Sequence, residues 1–98
     1  MTDIYISIDV ETFGPIPGEN SMINLGAVAY TANKKKLGDF SVNLKELDTA
    51  KRNDSAMEFW LKKENEIVLA DITKNPIDPD IAIKLFKTWT EEMVTIFF

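Results

Sequence analysis

The sequence predicts an α/β fold: a three-stranded antiparallel meander, then two helices and the start of a parallel fourth strand. Three observations predict it. Residues 3–11 alternate strictly between polar and apolar positions, the period of a half-buried strand. Between Met57 and Met93 the apolar residues recur at three- and four-residue intervals, the period of a helix. Residues 94–98 return to β-branched and aromatic side chains, the composition of a buried strand.

In the first strand Ile4, Ile6, Ile8 and Val10 share one face, and Asp3, Tyr5, Ser7, Asp9 and Glu11 share the other. The segment from Phe13 to Gly18 ends it, because prolines and glycines cannot continue a ladder. Met22 to Tyr30 reads as a second strand, apolar enough to be covered on both faces. Thr31 to Lys34 supplies a turn, and Leu37 to Leu44 a third strand with Phe40, Val42 and Leu44 on one side. Connections this short favour antiparallel neighbours.

The pattern then becomes helical. Ser55 to Glu58 has capping-box spacing, with Ser55 or Asp54 as N-cap. Met57, Trp60, Leu61 and Val68 follow at helical intervals, and Glu64 interrupts them as a break. Asn75-Pro76 separates this helix from the next. The second helix starts with Asp78 as N-cap, Pro79 in the first position and Asp80 near the positive end of the dipole. Its apolar stripe is Ala82, Leu85, Phe86, Trp89 and Met93. Val94 to Phe98, as a strand, needs cover on both faces, and two helices cover only one. Residues 1–98 therefore read as the N-terminal portion of a single larger domain, or as one half of an obligate homodimer.

The chain has 98 residues, 45% of them hydrophobic and 28% charged, which is the composition of a globular domain rather than a disordered segment. It contains neither cysteine nor histidine, so disulfides, thiol catalysis, thiolate zinc sites and His-based triads lie outside its chemistry. No run approaches the ~20 apolar residues of a membrane span. The opening residues lack a basic, apolar leader, so the expected location is the cytoplasm. The net charge of −5 sits mainly in residues 53–98, which argues against a whole-surface electrostatic grip on nucleic acid. Acidic chemistry that reaches a phosphate through divalent cations stays open.

Asp9-Val10-Glu11-Thr12, at the end of the first strand, is the sharpest chemical feature. Side chains at i and i+2 share a face with their roots about 6.5–7 Å apart. The longer Glu11 arm can bend towards Asp9, so both carboxylates can meet on one cation. Oxygen-seeking Mg²⁺ or Mn²⁺ fits such a pair and also binds phosphate. On this tetrapeptide alone, the polar face of a half-exposed strand is the favoured explanation of the two acids.

The surroundings add a resemblance. A Gly/Pro loop follows the motif, and Ile23-Asn24-Leu25-Gly26-Ala27-Val28 opens the second strand. This arrangement resembles the DEDD, or DnaQ-like, 3′–5′ exonuclease superfamily, which has an RNase H-like fold. Met57-Glu58-Phe59-Trp60-Leu61-Lys62-Lys63 and Phe86-x-x-Trp89 look like a phage and bacterial exoribonuclease-like branch of it. The resemblance implies a metal-dependent hydrolase of terminal phosphodiester bonds in DNA or RNA, with two Mg²⁺ or Mn²⁺ ions and a nucleic acid 3′ end as substrate. It makes Asp9 and Glu11 the first pair of metal-binding catalytic carboxylates, and Thr12 and Phe13 the positions that line the 3′-terminal nucleotide. The family's second and third motifs have no counterpart here, so the 98 residues alone are expected to be inactive. The other reading is a non-catalytic binding or assembly module of the same fold.

Other residues have plainer explanations. Trp60 and Trp89 can stack on bases, but both lie on apolar stripes and fit a core. Lys34-Lys35-Lys36 can touch phosphates or simply keep a hairpin tip in water. Asp78 and Asp80 suit a helix start. A glycosidase pair needs carboxyls about 5–5.5 Å apart among sugar-stacking aromatics, which this sequence does not supply.

Overall fold

The alternating segments fold into a single antiparallel sheet. In the computed structural model, which describes residues 3–97, β1 (Ile4–Thr12), β2 (Met22–Thr31) and β3 (Lys36–Asn43) lie in the order β1-β2-β3. The register places Ile6 opposite Ala29, Asp9 opposite Gly26 and Glu11 opposite Asn24. Across the second ladder Gly26 meets Ser41, and Asn24 meets Asn43. The α/β class and the meander agree with the sequence reading, as does the turn at Thr31–Lys34, where Lys34 adopts φ 68° and donates its N–H to the Thr31 carbonyl.

One face of the sheet carries the core. Ile23, Leu25, Ala27 and Ala29 of β2 are buried, with Phe40 and Val42 of β3 beside them. Their alternates Asn24, Gly26, Val28 and Tyr30 are only half-buried, so β2 is not covered on both faces as its apolar composition suggests. Composition alone could not separate the two cases, since Gly26, Ala27, Val28 and Ala29 read as apolar whichever way they point. Opposite, α3 (Pro79–Phe97) packs Ala82, Trp89 and Met93 against the sheet, and Phe40 stacks on Trp89 with centroids 5.7 Å apart.

The first expected helix divides where Glu64 interrupts the stripe. It forms α1 (Asp54–Trp60), a 3₁₀ turn (Lys63–Asn65) and α2 (Glu66–Ile72). Its N-cap is Asn53 rather than Asp54 or Ser55: the Asn53 side chain accepts the Ala56 N–H at 3.0 Å, the geometry that ends the row of free donors. The second expected start holds, with Pro79 opening α3 and the Asp78 carbonyl accepting the Ala82 N–H.

Residues 94–97 are the main correction. They continue α3 instead of beginning a fourth strand, and Phe98 lies outside the described residues, as do Met1 and Thr2. No glycine, proline or asparagine stops the helix after Trp89, and Met93 extends the buried stripe by one turn. Intrinsic β-preference is a weak bias that such a running helix overrides.

Candidate metal-binding site

β1 presents Asp9 and Glu11 on the sheet face that α3 does not cover, with Asp9 exposed and Glu11 half-buried. The register sets Asp9 against Gly26, so no side chain from β2 stands beside it there. The Glu11 carboxyl is held above its ordinary range, first by partial burial and second by the negative charge of Asp9. Neither carboxylate has a hydrogen-bonded or ion-paired protein partner among the described residues. Such a pair of oxygen donors, lacking nitrogen and sulfur, suits a hard cation such as Mg²⁺ or Mn²⁺ that keeps most of its waters. Among the described residues no group of three or more acidic, His or Cys side chains is placed to hold a metal, so the donors of this kind number two.

The register shifts between Glu11 and Thr12, and this irregularity turns the chain out of the ladder. Thr12 is half-buried, and its carbonyl accepts the Trp60 indole N–H at 3.0 Å. A groove of about 370 Å³ opens beside it, lined in part by Val10, Gly14, Pro15, Met22 and Leu47. Phe13 turns inward. Its ring is 4% exposed, packs with Ile23, Trp60 and Ile72, and lies 5.0 Å from the Arg52 guanidinium. Of the two positions matched to a nucleotide contact, only Thr12 therefore keeps side-chain surface.

The remaining candidates fall into structural roles. Trp60 and Trp89 are both in the core. Lys34 to Lys36 occupy the hairpin end at which Thr31 pairs with Ile4, several residues along β1 from Asp9, and Lys36 pairs with Asp39 at 2.7 Å. Asp78 serves the start of α3 and lies 3.7 Å from the Lys45 ammonium.

Asn24 and Asn43 were not singled out by the sequence, yet Asn24 is the register partner of Glu11 and Asn43 that of Asn24. Asn24 donates to the Asn43 side-chain oxygen at 2.8 Å, and Asn43 donates to the carbonyls of Asp71 and Lys74, each at 2.8 Å. The available signal was parity. Asn24 is the one polar side chain in Met22–Tyr30 before the terminal tyrosine, and it falls on the same face as Glu11.

Among the described residues no helix is long and apolar enough to cross a membrane. No protein-family model matches the chain. The chain is 36% identical over 96 residues to an Escherichia coli protein named 3′-5′ DNA exonuclease Cap18, a match that takes in 94% of this chain and 44% of that protein. The chain thus spans less than half the length of that curated relative, and the similarity is to a 3′-5′ exonuclease-like protein at the coarse level.

Proposed function

We propose that this chain is the N-terminal portion of an RNase H-like, metal-dependent 3′–5′ exonuclease domain, acting on the 3′ end of DNA or RNA to release nucleoside monophosphates. The observation that carries the reading is the placement of Asp9 and Glu11 side by side on one exposed face of β1, each without a protein partner among the described residues. A strand followed directly by a turned-out Gly/Pro loop gives those acids a rigid base and an open approach. Similarity to a protein named as a DNA exonuclease supports the same class.

In this reading Asp9 and Glu11 hold the divalent cation, and Thr12, the next residue along β1, borders the terminal nucleotide. A bound Mg²⁺ or Mn²⁺ supplies neutralisation of phosphate charge and a more acidic water. The chain's own contribution is to keep two oxygens fixed at one end of β1 while α1, through Trp60, fixes the peptide that follows. Two carboxylates are fewer than a two-ion centre uses, so the remaining ligands are expected from polypeptide outside these 98 residues. The pair also suits a non-catalytic module of the same fold that binds one ion.

Calorimetric titration of the chain with MnCl₂ tests the site. Weak binding is expected, and Asp9→Ala is expected to abolish the heat; the same heat from that variant would sink the metal reading. A 3′-labelled oligonucleotide tests the incompleteness. No digestion by the chain alone is expected, and robust digestion lost in Glu11→Ala would show that two carboxylates suffice.

A further inference from the structure

The sheet face that carries Asp9 and Glu11 holds a cavity towards its other end. Tyr5 and Tyr30 are register partners on β1 and β2, on this same face, four residues along β1 from Asp9. They are the chain's two tyrosines, and with Thr31, Ala32 and Lys34 they line a space of about 460 Å³. That volume falls within the ~300–1,000 Å³ of small-molecule pockets and admits a flat ring of nucleobase size.

The core does not use these rings. Tyr5 is 55% exposed, and neither tyrosine stacks on another aromatic side chain among the described residues. The cluster beneath this part of the sheet takes Ile4, Ile6 and Ala29, which point to the opposite face. Rings left open in this way offer their faces to a ligand. The one charged side chain of the lining is Lys34. Its backbone closes the hairpin, with φ 68° and its N–H donated to the Thr31 carbonyl at 2.9 Å. Its ammonium has no carboxylate partner among the described residues, whereas Lys36 is held by Asp39 at 2.7 Å. In a chain of net charge −5, a free cation beside two open rings complements a ligand with both a flat ring and a phosphate.

The way from this cavity to the carboxylates is unobstructed by charge. On β1 and β2 only Ser7 and Val28 intervene before Asp9 and Gly26. Four residues of strand span about 13 Å, and a stacked nucleic-acid strand advances about 3.4 Å per nucleotide. A strand whose 3′ end lies at Asp9 and Glu11 therefore reaches the cavity within about four nucleotides.

We infer that the cavity of Tyr5, Tyr30 and Lys34 binds single-stranded nucleic acid, the rings stacking on a base and the Lys34 ammonium meeting a phosphate. The inference rests on the exonuclease reading for the direction of the strand, and it deepens that reading from the terminal nucleotide to the strand behind it.

Anisotropy of a 5′-labelled oligothymidine of about ten nucleotides, titrated with the chain in EDTA, tests it without the metal. Tyr5→Ala is expected to weaken binding about tenfold. Lys34→Gln should weaken it several-fold and lower the slope of log affinity against log salt by about 0.7. Lys62→Gln, outside the sheet, should bind as the wild type does. Unchanged affinity in folded Tyr5→Ala and Lys34→Gln, an equal loss in Lys62→Gln, or no binding by the chain would each overturn the inference. The unaltered chain gives a second measurement through its two ¹³C-labelled tyrosine ring signals, which the oligonucleotide should shift together. Binding that leaves both signals unmoved overturns the inference, as do shifts that follow chain concentration alone and so report a second copy. The exonuclease reading is decided separately by the MnCl₂ titration: shifted tyrosine signals with no Mn²⁺ heat would keep the cavity and remove the metal site.

Discussion

The indole N–H of Trp60 donates to the carbonyl oxygen of Thr12 across 3.0 Å, joining the last turn of α1 to the residue directly after Glu11. The bond spans 48 positions of sequence and lands where the β1–β2 register shifts. Trp60→Phe keeps most of the packing and removes the donor, leaving a part-buried carbonyl without its partner. A loss of about 1–2 kcal/mol is expected by urea unfolding. Mn²⁺ affinity should fall alongside it, because the freed Thr12 peptide is adjacent to the carboxylate it helps to place. Wild-type stability would show that the indole serves packing only.

Gly14 supports the same loop by what it lacks. A Cβ at this position would lie 2.2 Å from the Asn20 side-chain carbon, and Asn20 cannot move aside freely. Its oxygen accepts the Ile16 N–H at 3.1 Å, and its nitrogen donates to the Lys51 carbonyl at 2.7 Å. Gly14→Ala should therefore cost about 2–3 kcal/mol, the range of an overpacked site. Asn20→Ala should also destabilise, through the two bonds lost. The double variant should cost less than the two together by about 1 kcal/mol or more, since removing Asn20 makes room for the new methyl. Strict additivity in denaturant melts would refute the steric account.

Glu11 ties stability to pH and to metal. Its carboxyl is raised by burial and then by Asp9, so the folded chain holds this proton more tightly than the unfolded chain does. The group's contribution to stability is therefore fully present below the ordinary carboxylate value near 4.5, and it is lost as pH rises through the raised folded value. Glu11→Gln, which stays neutral, should melt higher than the wild type at pH 7, with the gap closing towards pH 4. Millimolar MgCl₂ should raise the wild-type melting temperature at pH 7 and leave Glu11→Gln nearly unchanged. A gap that widens on acidification would contradict the assigned direction.

The elements legible in the sequence were those with a strong local period. Residues 3–11 alternate cleanly, and β1 forms there because Ile4 and Ile6 gain by packing against the core while Tyr5, Ser7 and Asp9 stay in water; Ile8 and Val10 follow the same alternation but remain exposed. Asp78-Pro79 marked the start of α3 because the cap and the proline act within one turn. Non-local features were less legible. The true cap of α1, Asn53, precedes two other residues that are also good caps, and the choice is made by where the chain arrives from Phe13, whose carbonyl accepts the Asn53 N–H at 2.8 Å. Asp9 and Glu11 were readable from i, i+2 spacing, whereas Asn24 comes beside Glu11 only through register, which no single segment encodes.

The end of α3 offers the sharpest contrast between a local pattern and its context. As a strand, residues 94 and 96 would share one face, and 93, 95 and 97 the other. As the helix it is, Met93 faces the sheet at 8% exposure while Ile96 is turned out at 65%. Met93→Lys would place an ammonium against Trp89 and Gly38, whose missing side chain leaves the Met93 sulfur 3.0 Å from the Cβ position there. That burial without a partner should cost several kcal/mol, on the order of 3 or more, and lower the melting temperature steeply. Ile96→Lys should change stability by no more than about 0.5 kcal/mol, because the new charge is already in water. Equal damage from both substitutions in thermal melts would mean that residues 94–97 are buried on a second side, as a strand between neighbours would be, and the helical end of α3 would have to be abandoned.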